Sequence, residues 1–206
     1  GLGYYNRVRN MQEAAKTVMK EFDGELPSDY GELLKLKGIG SYTAGAVASI
    51  AYHQPVPAVD GNGLRVITRV TEDSSDIMKQ SVKTEIEKRL AEIIPADHAG
   101  QFNQALMELG AIVCLPNGQP LCGKCPWRSF CRARFHDKIS EIPVKTKAKA
   151  RKIQNRTVFV IRRLDKVILH KRPAKGLLAG MYEFPNVEGT LSEEEALKWI
   201  KQKNLQ

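Results

Sequence analysis

Gly38 and Gly40, in Leu36-Lys37-Gly38-Ile39-Gly40, stand between two stretches of helical pattern, and Asp60 follows in Val59-Asp60-Gly61-Asn62. Glycine adopts backbone angles closed to other residues and puts no side chain in the way, so such a hairpin can turn backbone N–H groups toward a phosphate. The N–H groups of Ile39, Gly40 and Ser41 fall where the next helix begins, and orphan donors and the helix dipole favour an anion there. Contacts of this kind hold register on a nucleic-acid backbone without reading its bases. A carboxylate just beyond the second helix can then act on the nucleotide that owns the phosphate. Both features have plain structural readings too: Gly-x-Gly occurs in ordinary turns, and Asp60 fits as the negative charge at a helix N-terminus. Asn62 reads as the N-cap of the helix from Gly63 to about Thr71, which leaves Asp60 available for chemistry.

The four cysteines are confined to residues 114–131, spaced Cys114-x7-Cys122-x2-Cys125-x5-Cys131. Thiols this dense, in a chain with no secretory signal, point to a metal rather than to disulfides. One Cys-x2-Cys pair with two outlying cysteines suits a 4Fe–4S cluster better than zinc, which usually takes two short pairs. Zinc and free thiols stay open on spacing alone.

The elements that position these groups are mostly helical. Residues 8–22 place Val8, Met11, Ala15, Val18, Met19 and Phe22 on one face. Pro27-Ser28-Asp29 opens a short helix to about Leu36, and Ser41 to Tyr52 is a small-residue helix able to approach its neighbour closely. Further helices fit Lys79 to Ile93 and Asp97 or His98 to about Val113. After a Lys-rich segment the period changes: Arg156 to Leu164 and Lys166 to Lys171 alternate around a turn, which predicts a β-hairpin. Ser192-Glu193-Glu194-Glu195 is a capping box that opens a last helix. The chain therefore reads as an all-α domain over 1–135, a basic linker over 136–154 and the start of an α+β domain over 155–206.

The net charge is +9 and the pI about 9.4. Nine Lys/Arg and two acids lie between Arg132 and Arg156. A charge run alone is most often a solvated linker, but beside a phosphate-type hairpin it favours a nucleic-acid partner. No stretch approaches the roughly 18 apolar residues of a membrane span, and a monomeric, cytoplasmic protein is expected, nucleoid-associated if bacterial. The opening Gly1-Leu2-Gly3-Tyr4-Tyr5 reads as mid-domain sequence, and the last helix pattern runs to Gln206 without a stop signal, so a fragment shortened at both ends is expected.

The hairpin and Asp60 resemble the helix-hairpin-helix Gly/Pro-Asp superfamily of DNA glycosylases, with Lys37 where a proline is often seen. The resemblance gives Asp60 the task of stabilising the sugar cation left as a base departs. A carboxylate in a poorly solvated pocket suits that task. The cysteine block resembles the 4Fe–4S loop of endonuclease III and of adenine glycosylases of the MutY type, which usually put six residues between the first two cysteines. Here Leu115 to Leu121 makes seven. That stretch contains no Lys or Arg, so Lys124, Arg128, Arg132 and Arg134 become the candidate phosphate contacts. The implied cluster is structural, not a participant in bond cleavage.

Four details favour the MutY-type branch. Tyr42 occupies the position where endonuclease III carries the lysine that forms a Schiff base, which implies a monofunctional enzyme. Asp60-Gly61-Asn62 fits the family's Asp-Gly-Asn, in which the amide helps hold the site. Gly1-Leu2-Gly3-Tyr4-Tyr5-Asn6-Arg7 resembles the segment whose first tyrosine, here Tyr4, wedges into the duplex beside the damaged guanine. Gly176-Leu177-Leu178-Ala179-Gly180-Met181-Tyr182-Glu183-Phe184-Pro185 resembles the start of a Nudix-like recognition domain. Glu193-Glu194-Glu195 does not supply the metal helix of a true Nudix hydrolase. Together these imply double-stranded DNA carrying adenine opposite 8-oxoguanine (or guanine) as the substrate. The alternatives are an endonuclease III-type pyrimidine-damage glycosylase and a non-catalytic iron–sulfur DNA-binding module. The glutamate that protonates the departing adenine in the family lies in a Leu-Gln-Gln-Thr context, which these 206 residues do not contain, so little or no activity is expected of them alone.

Overall fold

The computed structural model describes residues 5–146 and 150–203. Tyr4, with Gly1 to Gly3, lies outside the described residues, as do 147–149 and 204–206. The chain divides into two units, residues 1–147 and 148–206.

The first unit is helical: α1 (Tyr5–Glu21), α2 (Tyr30–Lys35), α3 (Ser41–Tyr52), α4 (Gly61–Thr71), α5 (Gln80–Ile93), α6 (Ala99–Glu108) and the short α7 (Arg132–Phe135). A 3-10 turn, Ala96–His98, leads into α6, and a π-helical turn, Leu109–Val113, leads out of it. Asp29 starts α2 by accepting the Glu32 N–H at 2.9 Å, the capping role its type favours.

One core gathers Val59, Leu64, Val66, Ile77, Ile86, Leu90 and Leu106 around α4. A second joins Leu33, Leu36, Ala44 and Ala48, with Ala14, Val18 and Phe22 of α1 and its C-terminal end packed against it. The apolar face expected of α1 is only partly used: Met11 and Met19 are 62% and 71% exposed. The contact runs through Ala14, Val18 and Phe22, so the buried stripe is rotated from the expected one.

The small residues of α3 do permit close approach. A Cβ on Gly45 would stand 2.1 Å from the Pro57 carbonyl oxygen, and one on Gly100 of α6 would stand 2.8 Å from the Ser49 carbonyl oxygen. The chain leading to Asp60 is thus laid directly on the helix that follows the hairpin.

The second unit holds three antiparallel strand pairs and a helix. β1 (Arg156–Val158) pairs with β6 (Asn186–Glu188), β2 (Arg162–Arg163) with β3 (Lys166–Val167), and β4 (His170–Lys171) with β5 (Tyr182–Glu183). The expected hairpin exists only next to its turn. Farther out the first strand leaves it, because Phe159 donates its N–H to the Pro185 carbonyl and stacks its ring on Trp199, centroids 4.3 Å apart. The capping box at Ser192 is present and starts α8 (Glu193–Gln202). The architecture is a mainly α-helical domain followed by a small α+β region. No described helix is long and apolar enough to cross a membrane.

Candidate active site

Asp60 has an extended backbone and is itself the N-cap of α4. Its Oδ1 accepts the Gly63 N–H at 2.7 Å, and its Oδ2 accepts the Asn62 side-chain amide at 2.9 Å. This corrects the expectation that Asn62 caps the helix. The helix begins two residues earlier, at Gly61, so Asn62 falls inside its first turn and turns its amide sideways. Asp60 therefore serves the fold through one oxygen, and its other oxygen is oriented by an amide.

The Asn62 amide is itself held. Its Oδ1 accepts from Arg65 at 3.0 Å, and Arg65 also donates to the carbonyls of Gly110 at 2.6 Å and Cys114 at 2.8 Å. Arg65 is 3% exposed, and its burial pulls the guanidinium below the usual arginine range. The π-helical turn brings the Gly110 backbone against α4. A Cβ on Gly110 would lie 2.5 Å from the Asn62 Cβ, so only glycine fits. One turn along α4, Arg69 donates to the carbonyls of Ile142 and Leu115 at 2.7 and 3.0 Å and to the Cys114 Sγ at 3.3 Å.

Asn103 of α6 fixes the approach to Asp60. It accepts the Ala58 N–H at 3.0 Å and donates to the Ser49 hydroxyl at 2.8 Å and the Val56 carbonyl at 3.0 Å. A fully buried amide with both ends satisfied gives the loop a single conformation.

In the hairpin, Gly38 has φ +81°, a conformation that favours glycine. A side chain there would also strike Asn10 of α1 at 2.6 Å. The Ile39 N–H closes the turn on the Leu36 carbonyl at 3.1 Å. Gly40 is the N-cap of α3 and makes no side-chain cap bond, so the first-turn N–H groups from Ser41 onward are the orphan donors of that helix. The Ser41 hydroxyl donates to Glu87 of α5 at 2.7 Å. Tyr42 is 42% exposed, its hydroxyl 3.8 Å from the Met107 sulfur.

The expected 4Fe–4S cluster is not supported. Among the described residues no group of three or more His, Cys, Asp or Glu side chains is gathered in a way that could hold a metal ion. Cys114, Cys122, Cys125 and Cys131 are free thiols. They border one apolar cavity of about 20 Å³ with Val66, Val70, Leu109 and Trp127, a space the size of about one water molecule. Burial raises the Cys122 and Cys125 thiols above their ordinary value. Of the cavity's lining residues, Val66, Arg69 and Val70 belong to α4.

Arg65, Arg69, Asn103 and Glu87 escaped sequence reasoning. Two arginines four apart in Gly-Leu-Arg-Val-Ile-Thr-Arg-Val carry a faint signal, since they interrupt an otherwise apolar run. Asn103 and Glu87 carry none, because their partners lie 45 to 54 residues away.

Comparison with known proteins adds the following. A family model described as a NUDIX domain matches residues 157–206. An adenine DNA glycosylase of Arabidopsis thaliana is 40% identical, over 94% of this chain and 32% of that protein. One of Buchnera aphidicola (subsp. Baizongia pistaciae) is 34% identical over 99% and 57%. The chain thus spans less than two thirds of these relatives. Among solved structures, a non-covalent endonuclease III–DNA complex is similar with a TM-score of 0.55 and 33% identity, over 65% of this chain and 60% of that one. A thermostable thymine-DNA glycosylase is similar with a TM-score of 0.54 and 27% identity, over 63% and 59%.

Proposed function

We propose, for a chain that is a DNA-glycosylase-like relative of the helix-hairpin-helix Gly/Pro-Asp superfamily, that it holds the cation-stabilising half of a base-excision site acting on double-stranded DNA. Asp60 carries this reading. Its Oδ2 is aimed by Asn62 while Oδ1 holds the helix, which leaves a rigid carboxylate to face the positive charge that grows on the sugar as the N-glycosidic bond breaks. The hairpin from Gly38 to Ser41 grips the backbone, and Tyr42 replaces strand-nicking lysine chemistry, so hydrolysis stops at base removal. Residues 1–135 are read as the excision domain, with the first part of the basic 136–154 stretch packed against it through Ile142 and Lys138, and 155–206 as part of a recognition domain.

For the base removed, we favour adenine opposite 8-oxoguanine or guanine. The adenine glycosylase relatives match along 94–99% of the chain, the Nudix-like region included. The test is Asp60→Asn in the intact protein, followed by single-turnover release of adenine from such a duplex. Asparagine caps helices as well as aspartate, so the fold should keep its stability while excision falls about 100-fold or more. Unchanged release would remove Asp60 from the chemistry.

A second reading, a pyrimidine-damage glycosylase, draws on the likeness to endonuclease III and to a thymine-DNA glycosylase. The same assay on duplexes carrying an oxidised pyrimidine or a G:T mispair separates the two. Borohydride trapping of the protein on DNA would contradict the role given to Tyr42. Residues 1–206 alone should excise poorly for want of the proton-donating glutamate, and robust adenine release by this chain would overturn that expectation.

A further inference from the structure

A single hydrogen bond between distant helices sits at the end of the hairpin. Ser41, the first residue of α3, donates its hydroxyl to the Glu87 carboxylate of α5 at 2.7 Å in a partly buried setting. Among the described residues Glu87 has no Lys, Arg or His within ion-pair distance. Tyr30 of α2 also lies near it, and its phenol is raised first by burial and then by the Glu87 charge. The carboxylate thus accepts from a neutral hydroxyl, not from a cation. It stands beside the orphan N–H groups that a phosphate would use.

We infer that Glu87 sets the affinity of the hairpin for the nucleic-acid backbone, as a carboxylate that opposes the phosphate and keeps the Ser41 hydroxyl from it. This rests on the reading of the hairpin as a DNA-backbone contact. Two effects act in the same direction. The Ser41 proton is committed to Glu87, so Ser41 turns a lone pair rather than a donor toward an incoming phosphate oxygen. The Glu87 charge then adds like-charge repulsion, strongest at low ionic strength. In a chain of net charge +9, unopposed backbone attraction would hold the protein on undamaged DNA. A carboxylate at the point of backbone contact weakens that hold without touching base recognition.

The experiment is the affinity of the intact protein for an undamaged duplex, followed by fluorescence anisotropy across a salt series. Glu87→Gln keeps an acceptor for Ser41 and removes the charge. It should bind about three- to tenfold tighter at low salt, with the advantage shrinking as salt rises. Glu87→Ala should shift in the same direction, while Ser41→Ala, which leaves the charge in place, should not tighten binding. Thermal midpoints accompany each variant, and a merely structural tether would show as a lowered midpoint in Glu87→Ala with no gain in affinity for Glu87→Gln. Equal or weaker binding by Glu87→Gln overturns the inference while the DNA reading stands, provided the wild type binds. A wild type with no salt-dependent duplex binding overturns both.

Discussion

Asn62 Nδ2 lies 2.9 Å from Asp60 Oδ2, and the two residues are held on the same first turn of α4. The amide has only one way to face the carboxylate, because Arg65 occupies its carbonyl end. A candidate catalytic oxygen is thereby oriented by a group that is itself locked from the buried side. Rigidity of this kind matters for electrostatic stabilisation, since a dipole or charge already in place does not reorganise when charge develops.

Arg65→Gln should be costly to the fold. The shorter amide cannot reach the carbonyls of Gly110 and Cys114 together with Asn62, so buried acceptors lose their donors. We expect a loss of about 2–4 kcal/mol in urea unfolding. A change below about 0.5 kcal/mol, the range of an ordinary surface substitution, would mean that water or a neighbour replaces the guanidinium.

Gly45→Ala probes the contact that lays the Asp60 loop on α3. The new methyl would meet the Pro57 carbonyl oxygen at 2.1 Å and its carbon at 2.9 Å, and neither atom can swing aside as a side chain would. A destabilisation of about 3 kcal/mol is expected. Gly40→Ala is the control: nothing lies within 4 Å of that position, its φ is −99°, and only the poorer capping by alanine should show, a loss of about 0.5–1 kcal/mol. Equal effects from the two would show that the α3 contact yields.

Asn103→Ala should loosen the same loop from the opposite side. The substitution strands the Ala58 N–H, the Val56 carbonyl and the Ser49 hydroxyl in a site that is 1% exposed. About 2–3 kcal/mol should be lost. Hydrogen exchange at Ala58 is the local readout, and protection there as strong as in the wild type would contradict the role assigned to the amide.

How much of this was legible in the chain depends on the range of each interaction. The helices, the Gly38 hairpin, the Asp29 cap and the Ser192 capping box follow from neighbours within four residues, and period and cap chemistry suffice to find them. Asn62 was misread because Asp and Asn are equally good caps two positions apart, and only the actual start of α4 separates them. The cysteines misled for a related reason. Their spacing is local, but whether four sulfurs converge on an ion depends on the tertiary packing of the segments that carry them. The bonds by which Arg65 holds the Gly110 and Cys114 carbonyls and Asn103 holds Ala58 reach across 45 residues or more, beyond anything periodicity records.

The C-terminal end of α4 provides a pH-dependent test. Glu72 ends the helix in a left-handed conformation, φ 57°, and its carboxylate accepts from Lys138 at 2.6 Å and from His136. These two hydrogen bonds, Lys138 first, hold it down to about 2 from its ordinary 4.5. A carboxylate that is more acidic in the folded chain stabilises the fold fully above its unfolded value. That contribution fades as pH falls from about 4.5 to about 2, where the unfolded chain takes up its proton first. The opposite limb belongs to Lys138, which Glu72 raises above its ordinary value. Its share is complete below the unfolded lysine value and is lost as pH climbs through the folded one. The gap in thermal midpoint between wild type and Glu72→Gln should therefore be open at neutral pH and close in acid as Glu72 protonates. A gap as wide near pH 2 as at neutrality, beyond about 2 pH units below the ordinary carboxylate value, would mean that Glu72 acts through backbone geometry at its left-handed position and not through its charge.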